Sequence, residues 1–283
     1  MARLGGRGSE PAQFQRPAGV SFDAFGHLFV ADRGNHRIQE FDPQLRFVRE
    51  RGGFGFEPGR FVDPRAVVAD RGPRVYVLDT SGGRVQTLDA RREPEAVLLD
   101  IRGSGGFGAH RPVGLAVDAA GAMYLSDRES QCVLVYSAQG DSLAAWGGFG
   151  SGPGQFRRIA GLCTDAHGSL WVADEGRRRV VHLDVGGAFA GELAVAPDSA
   201  EGARPFAVAV AADGRLAVAD PGLRRVTVFS PSGAPLAVLE GDGERRFEEP
   251  VALAWGGERL AVADQGTHIV VVFRMLPHAP GPR

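Results

Sequence analysis

One stretch recurs six times in this chain, and the recurrence leaves few folds open. LFVADRGNHRIQEFD, from Leu28 to Asp42, reads as strand, tight turn, strand. Leu28 to Ala31 is a short apolar run, Arg33-Gly34-Asn35-His36 is turn-rich, and Ile38 to Phe41 alternates apolar and polar. The pattern returns at Val75–Asp89, Met123–Ser137, Leu170–Asp184, Leu216–Ser230 and Leu260–Arg274. The aspartates that end the first strand of each hairpin are Asp32, Asp79, Asp127, Asp174, Asp220 and Asp264, spaced by 47, 48, 47, 46 and 44 residues. A period of roughly 40–50 residues with several short strands per unit is the signature of a propeller. No stretch carries the 3.6-residue periodicity that a helical solenoid requires.

The rest of each unit supplies two further strands. Before each hairpin runs a strand of small and apolar residues, such as Ala18–Phe22 or Val113–Val117, suited to crowding around a central axis. Pro17, Pro64, Pro112, Pro205 and Pro250 precede five of these strands, where a missing N–H costs least, and Ile159 stands in the fourth. After each hairpin comes an outer strand, such as Ser142–Trp146, and then a Gly-rich loop such as GGFGSGPGQF. Phe14, Phe61, Phe156 and Phe247 recur three residues before the next inner strand and read as wedges between blades. The last unit supplies only three strands, while Ala2–Gly6 resembles a fourth. The expected fold is therefore all-β: a six-bladed β-propeller of four-stranded antiparallel blades over residues 1–274, its N-terminal strand completing the C-terminal blade. Residues 275–283 form a Pro-rich tail expected to be loose.

The totals exclude some functions. The formal net charge of −2 argues against a generally basic nucleic-acid binder. Every basic side chain other than His is Arg, since Lys is absent. Cys132 and Cys163 fall in different units and make neither a disulfide framework nor a zinc site. No apolar run approaches the roughly 18 residues of a membrane helix, and the N-terminus lacks a signal-type apolar core, so a cytoplasmic location is expected.

ADRGNHRIQEFD and the GxGxxPGQFxxP-like loops resemble NHL repeats, with Asn35-His36-Arg37 close to the Asn-His-Leu motif that names them. The resemblance covers essentially the whole chain. It implies a six-bladed propeller serving as a platform for protein or RNA. A smaller group within that family resembles amidating lyases that carry metal. No RING-type Cys–His cluster accompanies the repeats here.

The hairpin aspartates read as structural, each satisfying backbone N–H groups of its own turn. Five residues on, Arg37, Arg84, Arg179 and Arg225 are placed to pair with Asp32, Asp79, Asp174 and Asp220 across the hairpin. Cys132 and Ile269 occupy that position in units three and six, whose turns are expected to be looser. Arginines outside the period remain as candidates for binding: Arg33, Arg128, Arg177, Arg178 and Arg224 in the turns, Arg157 and Arg158 in a loop, with His36 and His268 beside them. All are expected on one face and free to bind carboxylate or phosphate. Asp23, Asp70, Asp118 and Asp165 gather at the other mouth of the channel and form an alternative divalent-cation site, although they also fit a turn pattern. No catalytic motif or residue is identified and no cofactor is expected.

The leading expectation is a non-catalytic platform that presents an Arg-rich face to a protein or peptide, with no membrane partner and a monomeric state. RNA binding through the same face is the second, with Trp146, Phe54, Phe56, Phe107 and Phe149 available for stacking. A metal-dependent lyase or lactonase-like hydrolase at the channel mouth is the third.

Overall fold

The computed structural model describes residues 1–89, 96–101, 109–196 and 201–276. They form six four-stranded antiparallel sheets arranged as a propeller. Blade 1 comprises Pro17–Phe22, Leu28–Asp32, Arg37–Phe41 and Phe47–Gly52, and the same order of inner strand, hairpin and outer strand repeats through blades 2 to 5. Blade 6 takes Pro250–Gly256, Arg259–Asp264 and Ile269–Arg274 from the end of the chain and Ala2–Gly5 from its start. Ala2 pairs with Val272 and Gly5 with Ile269, so the first residues close the ring. Phe107 and residues 277–283 of the tail lie outside the described residues.

The core sits between blades rather than within them. Phe14, Phe61, Phe156 and Phe247 are all buried, as their recurrence suggests. Phe14 packs against Val20, Phe22 and Phe41 of blade 1 and against Ala252, Val270 and Val272 of blade 6. Burying each such side chain stabilises the junction by about 1.5–3 kcal/mol. Inner strands approach one another closely enough that a methyl group on Gly161 would lie 2.7 Å from the Phe206 carbonyl oxygen. Glycine there lets the Gly161 N–H donate to that oxygen, also at 2.7 Å.

Because strands alternate in direction, the hairpin turns and the loops joining successive blades open on one face. The Asp-x-x-Gly turns open on the other. Each hairpin turn has a residue in the left-handed region at its fourth position, with φ 57° at His36, 55° at Gln131, 56° at Arg178, 52° at Arg224 and 60° at His268. Gly83, with φ 68°, occupies it in blade 2 at no steric cost. Most inner strands also start with a bulge. The pairing jumps from Pro17 to Gly19, Pro64 to Ala66, Pro112 to Gly114 and Pro250 to Ala252. A bulge re-aims the extra residue. In blade 2 that extra residue is Arg65.

Candidate functional site

The hairpin aspartates fix the geometry of the turn face. Their main partners are not only their own turns but also the loop entering the blade. Asp32 Oδ1 accepts from Gln15 N at 2.7 Å, Asp79 from Asp63 N at 2.6 Å and Asp127 from Arg111 N at 2.5 Å. Asp220 accepts from Arg204 N at 2.9 Å, and Asp264 from Glu248 and Glu249 N at 2.7 and 2.8 Å. Asp174 accepts from Arg157 and Arg158 N at 3.1 and 3.0 Å and from Gly176 and Arg177 of its own turn. All six are buried, and their carboxylates clasp each turn to the adjoining loop. The turns of units three and six are clasped like the rest: Asp127 holds Ser130, and Asp264 holds Gly266 and Thr267.

The expected Asp–Arg pairs form in two blades of four. Arg37 Nε lies 2.9 Å from Asp32 and Arg84 Nε 3.4 Å from Asp79. Arg179 turns instead to Glu192 on the outer strand, at 2.7 Å. Arg225 forms no ion pair with Asp220, and its buried Nε has no hydrogen-bond partner among the described residues.

The turn-face arginines are less free than expected. Arg33 forms a fork with Asp63 of the loop entering blade 2. Arg128 Nη2 reaches Glu175 at 2.6 Å while its Nε donates to the Ile159 carbonyl. Arg158 joins the same buried Glu175 at 3.0 Å, and Arg177 pairs with Glu192 at 2.9 Å. Arg157 donates to Ser151 Oγ at 2.8 Å. Arg178 supplies the left-handed turn position, and its carbonyl accepts from Val195 N. Arg224 is exposed. His36 donates from Nδ1 to the Val62 carbonyl at 2.9 Å and meets Phe54 edge to face.

These contacts have a common logic. In several blades the residue after the hairpin aspartate reaches toward the next blade: Arg33 to Asp63, Thr80 Oγ1 to the Pro112 carbonyl, Arg128 to Ile159 and Glu175 to Arg204 at 4.0 Å. With its amide oxygen turned toward Arg16, Gln265 accepts from Arg16 Nη2 and Nε at 2.7 and 2.9 Å. Contacts that staple blade to blade therefore line much of the channel mouth on this face.

His268 Nδ1 accepts from Arg16 N at 3.0 Å, which requires a neutral ring. Burial, followed by the charges of Arg7 and Arg16, lowers its pKa below the usual histidine value. The unfolded chain therefore takes up this proton first as pH falls. The contribution is fully present above about pH 6.5 and is lost below it. His268→Asn keeps an acceptor and tolerates the left-handed backbone. Melting curves from pH 7.5 to 5.5 should show a shallower fall for His268→Asn than for the parent; parallel curves would contradict this assignment.

Inside the ring runs a channel of about 520 Å³, lined by all six inner strands. Sequence reasoning missed its main charged group. Arg65 lines this channel at the turn-face mouth, where the matching residues of other blades are Ala18, Val113, Ala160, Phe206 and Val251. Departure from the repeat at that one position was the available signal. Among the described residues its guanidinium has no hydrogen-bond or ion-pair partner. Burial, and then the nearby Arg33, lower its pKa from the ordinary arginine value, with Asp63 opposing and Arg128 and Arg111 adding to the effect.

At the opposite mouth, Asp23, Asp70, Asp118 and Asp165 do not converge. Each holds its own turn: Asp23 binds Phe25 and His27 N, Asp70 binds Gly72 and Arg74 N, Asp118 binds Ala120 and Ala122 N, and Asp165 binds His167 and Ser169 N. Among the described residues no three His, Cys, Asp or Glu side chains come together as metal ligands. Burial pushes the Cys163 thiol in the channel wall up to about 12, which favours its protonated form.

Comparison with known proteins agrees with this geometry. Residues 14–41 match the NHL repeat model. Over 38 residues the chain is 53% identical to NHL repeat-containing protein 3 of Mus musculus; the match takes in 13% of this chain and 11% of that protein's length. In structure the chain is similar to an inactive virginiamycin B lyase from Staphylococcus aureus with quinupristin, at TM-score 0.64 and 13% identity, covering 93% of this chain and 82% of that one. A Bacteroides thetaiotaomicron protein of unknown function aligns at TM-score 0.69 and 14% identity over 96% of this chain and 76% of its own. A chain of the nidogen–laminin complex aligns at TM-score 0.65 and 16% identity, over 88% of each. At these identities the structural likenesses establish the fold alone. Among the described residues no helix is long and apolar enough to cross a membrane.

Proposed function

We propose that this chain, an NHL-repeat six-bladed propeller, is a non-catalytic platform that presents its hairpin-turn face to a protein or peptide. One observation carries the reading. Phe54, Phe56 and Phe149 are 65%, 58% and 75% exposed, all on Gly-rich loops of that face. Rigid aromatic side chains next to arginines, here Arg60 and Arg157, are the composition of binding hot spots. The loops are anchored: Phe54 bridges to the wedge Phe61, and Phe149 to the wedge Phe156. A platform of this kind is pre-organised and loses little freedom on binding. The paired arginines fit this reading better than RNA binding, because Asp63, Glu175 and Glu192 already neutralise much of the positive charge.

Replacing Phe54, Phe56 and Phe149 together by serine should leave the melting temperature nearly unchanged, since the rings are exposed. Retention of a partner from a lysate of the source organism should fall about tenfold or more. Capture unaffected by the triple substitution would remove the reading. Retention of RNA that weakens steeply with salt would favour the nucleic-acid alternative instead.

A further inference from the structure

We infer that the central channel binds a small monocarboxylate with an apolar body, its head group held by Arg65 at the turn-face mouth. This goes beyond the platform reading and does not depend on it, since the residues involved lie inside the ring.

Three observations point to this ligand. First, Arg65 is a partly buried cation that Asp63 answers only at a distance. Nearby Arg33 and Arg128 are neutralised by Asp63 and Glu175, and Arg65 has no such partner among the described residues. A partly buried charge without a counter-ion is costly, and a bound anion removes the cost. One planar guanidinium matches one carboxylate in a bidentate fork, whereas a phosphate dianion calls for further donors.

Second, the channel behind Arg65 presents apolar and polar surface in about equal measure, its apolar part coming from residues that include Val20, Val68, Leu115, Leu162 and Leu253. Its volume of about 520 Å³ falls within the range of small-ligand sites, roughly 300–1,000 Å³. Third, the two mouths differ in charge. Asp70, Asp118 and Asp165 line the far end, offset there by Arg71. An anionic head group is therefore drawn to the Arg65 end, and the ligand's apolar part extends along the wall.

Titration calorimetry of the full chain at pH 7.5 and low salt tests the inference with hexanoate, octanoate, 1-hexanol and hexyl phosphate as probes. Hexanoate should bind, octanoate more tightly by roughly fourfold per added methylene, and 1-hexanol about tenfold or more weakly than hexanoate. Arg65→Met, which keeps the stem, and Arg65→Ala should both weaken hexanoate about tenfold or more. Without ligand, Arg65→Met should melt about 2–4 °C higher than the parent, as expected when an unpaired buried charge is removed. No hexanoate binding, equal binding by Arg65→Met, or equal binding of 1-hexanol would overturn the inference. So would tighter binding of hexyl phosphate than of hexanoate, or a lower melting temperature for Arg65→Met. If the exposed phenylalanine triple variant loses its protein partner yet still binds hexanoate, the two readings are separated.

Discussion

Removing Met1 to Gly5 should lower the melting temperature by about 10–20 °C, the largest effect expected of any small change to this chain. These residues supply the outer strand of blade 6 and pair with Ile269 to Val272. Losing about four net hydrogen bonds and the packing of Leu4 against the cluster around Phe14 costs about 4–6 kcal/mol. The ion pair of Arg3 with Asp242 is lost too, but Arg3 is largely exposed and this adds little. A domain has only about 5–15 kcal/mol in total, so most of the margin goes. The truncated protein should also self-associate, because the backbone of Ile269–Arg274 becomes an open edge. Calorimetry and size-exclusion chromatography read both effects. A truncated chain that melts within about 2 °C of the parent would mean the ring does not depend on its closing strand.

Asp174→Ala should be nearly as damaging, with a loss of about 4–6 kcal/mol. The substitution leaves the N–H groups of Arg157, Arg158 and Gly176 without their acceptor, while Arg177 N keeps the main-chain carbonyl of residue 174, at a site where the Asp174 side chain is fully buried. Buried donors left unsatisfied cost about 1–3 kcal/mol each, and entering water recovers part. Asp174→Asn keeps one acceptor oxygen and should lose about half as much. Urea titrations of the two variants give the comparison. Equal losses would show that charge matters here more than acceptor count.

Much of the architecture can be read from the chain because it is written six times. The spacing of the hairpin aspartates defines the blades, the Pro-led apolar runs define the inner strands, and the recurring phenylalanines define the junctions. Even the closing strand is visible, since blade 6 is one strand short and Ala2–Gly5 fits the missing place. What repetition cannot convey is which partner an arginine chooses. Arg37 and Arg179 occupy equivalent places, yet Arg37 bonds both Asp32 and Glu50, whereas Arg179 bonds Glu192. The choice depends on which carboxylates the loops and the outer strand bring within reach, and only the structure shows their path. Arg33 and Arg128 look free in the sequence for the same reason: Asp63 and Glu175 are far along the chain but adjacent across a blade junction. Arg65 was overlooked for the opposite reason. It sits inside a periodic strand, where attention falls on what recurs, and its importance lies in failing to match.

The pairing of Ala2–Gly5 with Ile269–Val272 also bears on how the protein is made. During synthesis Ala2–Gly5 emerges before every other strand of the ring, yet its partner Ile269–Arg274 is the ring's last strand to emerge. Blades 1 to 5 can assemble as they are translated, since each sheet is built from consecutive strands. That strand must wait, unpaired, while blades 1 to 5 are made between the two, at roughly 5–20 residues per second. Completion of the ring is thus a single long-range event that follows the making of the other five blades.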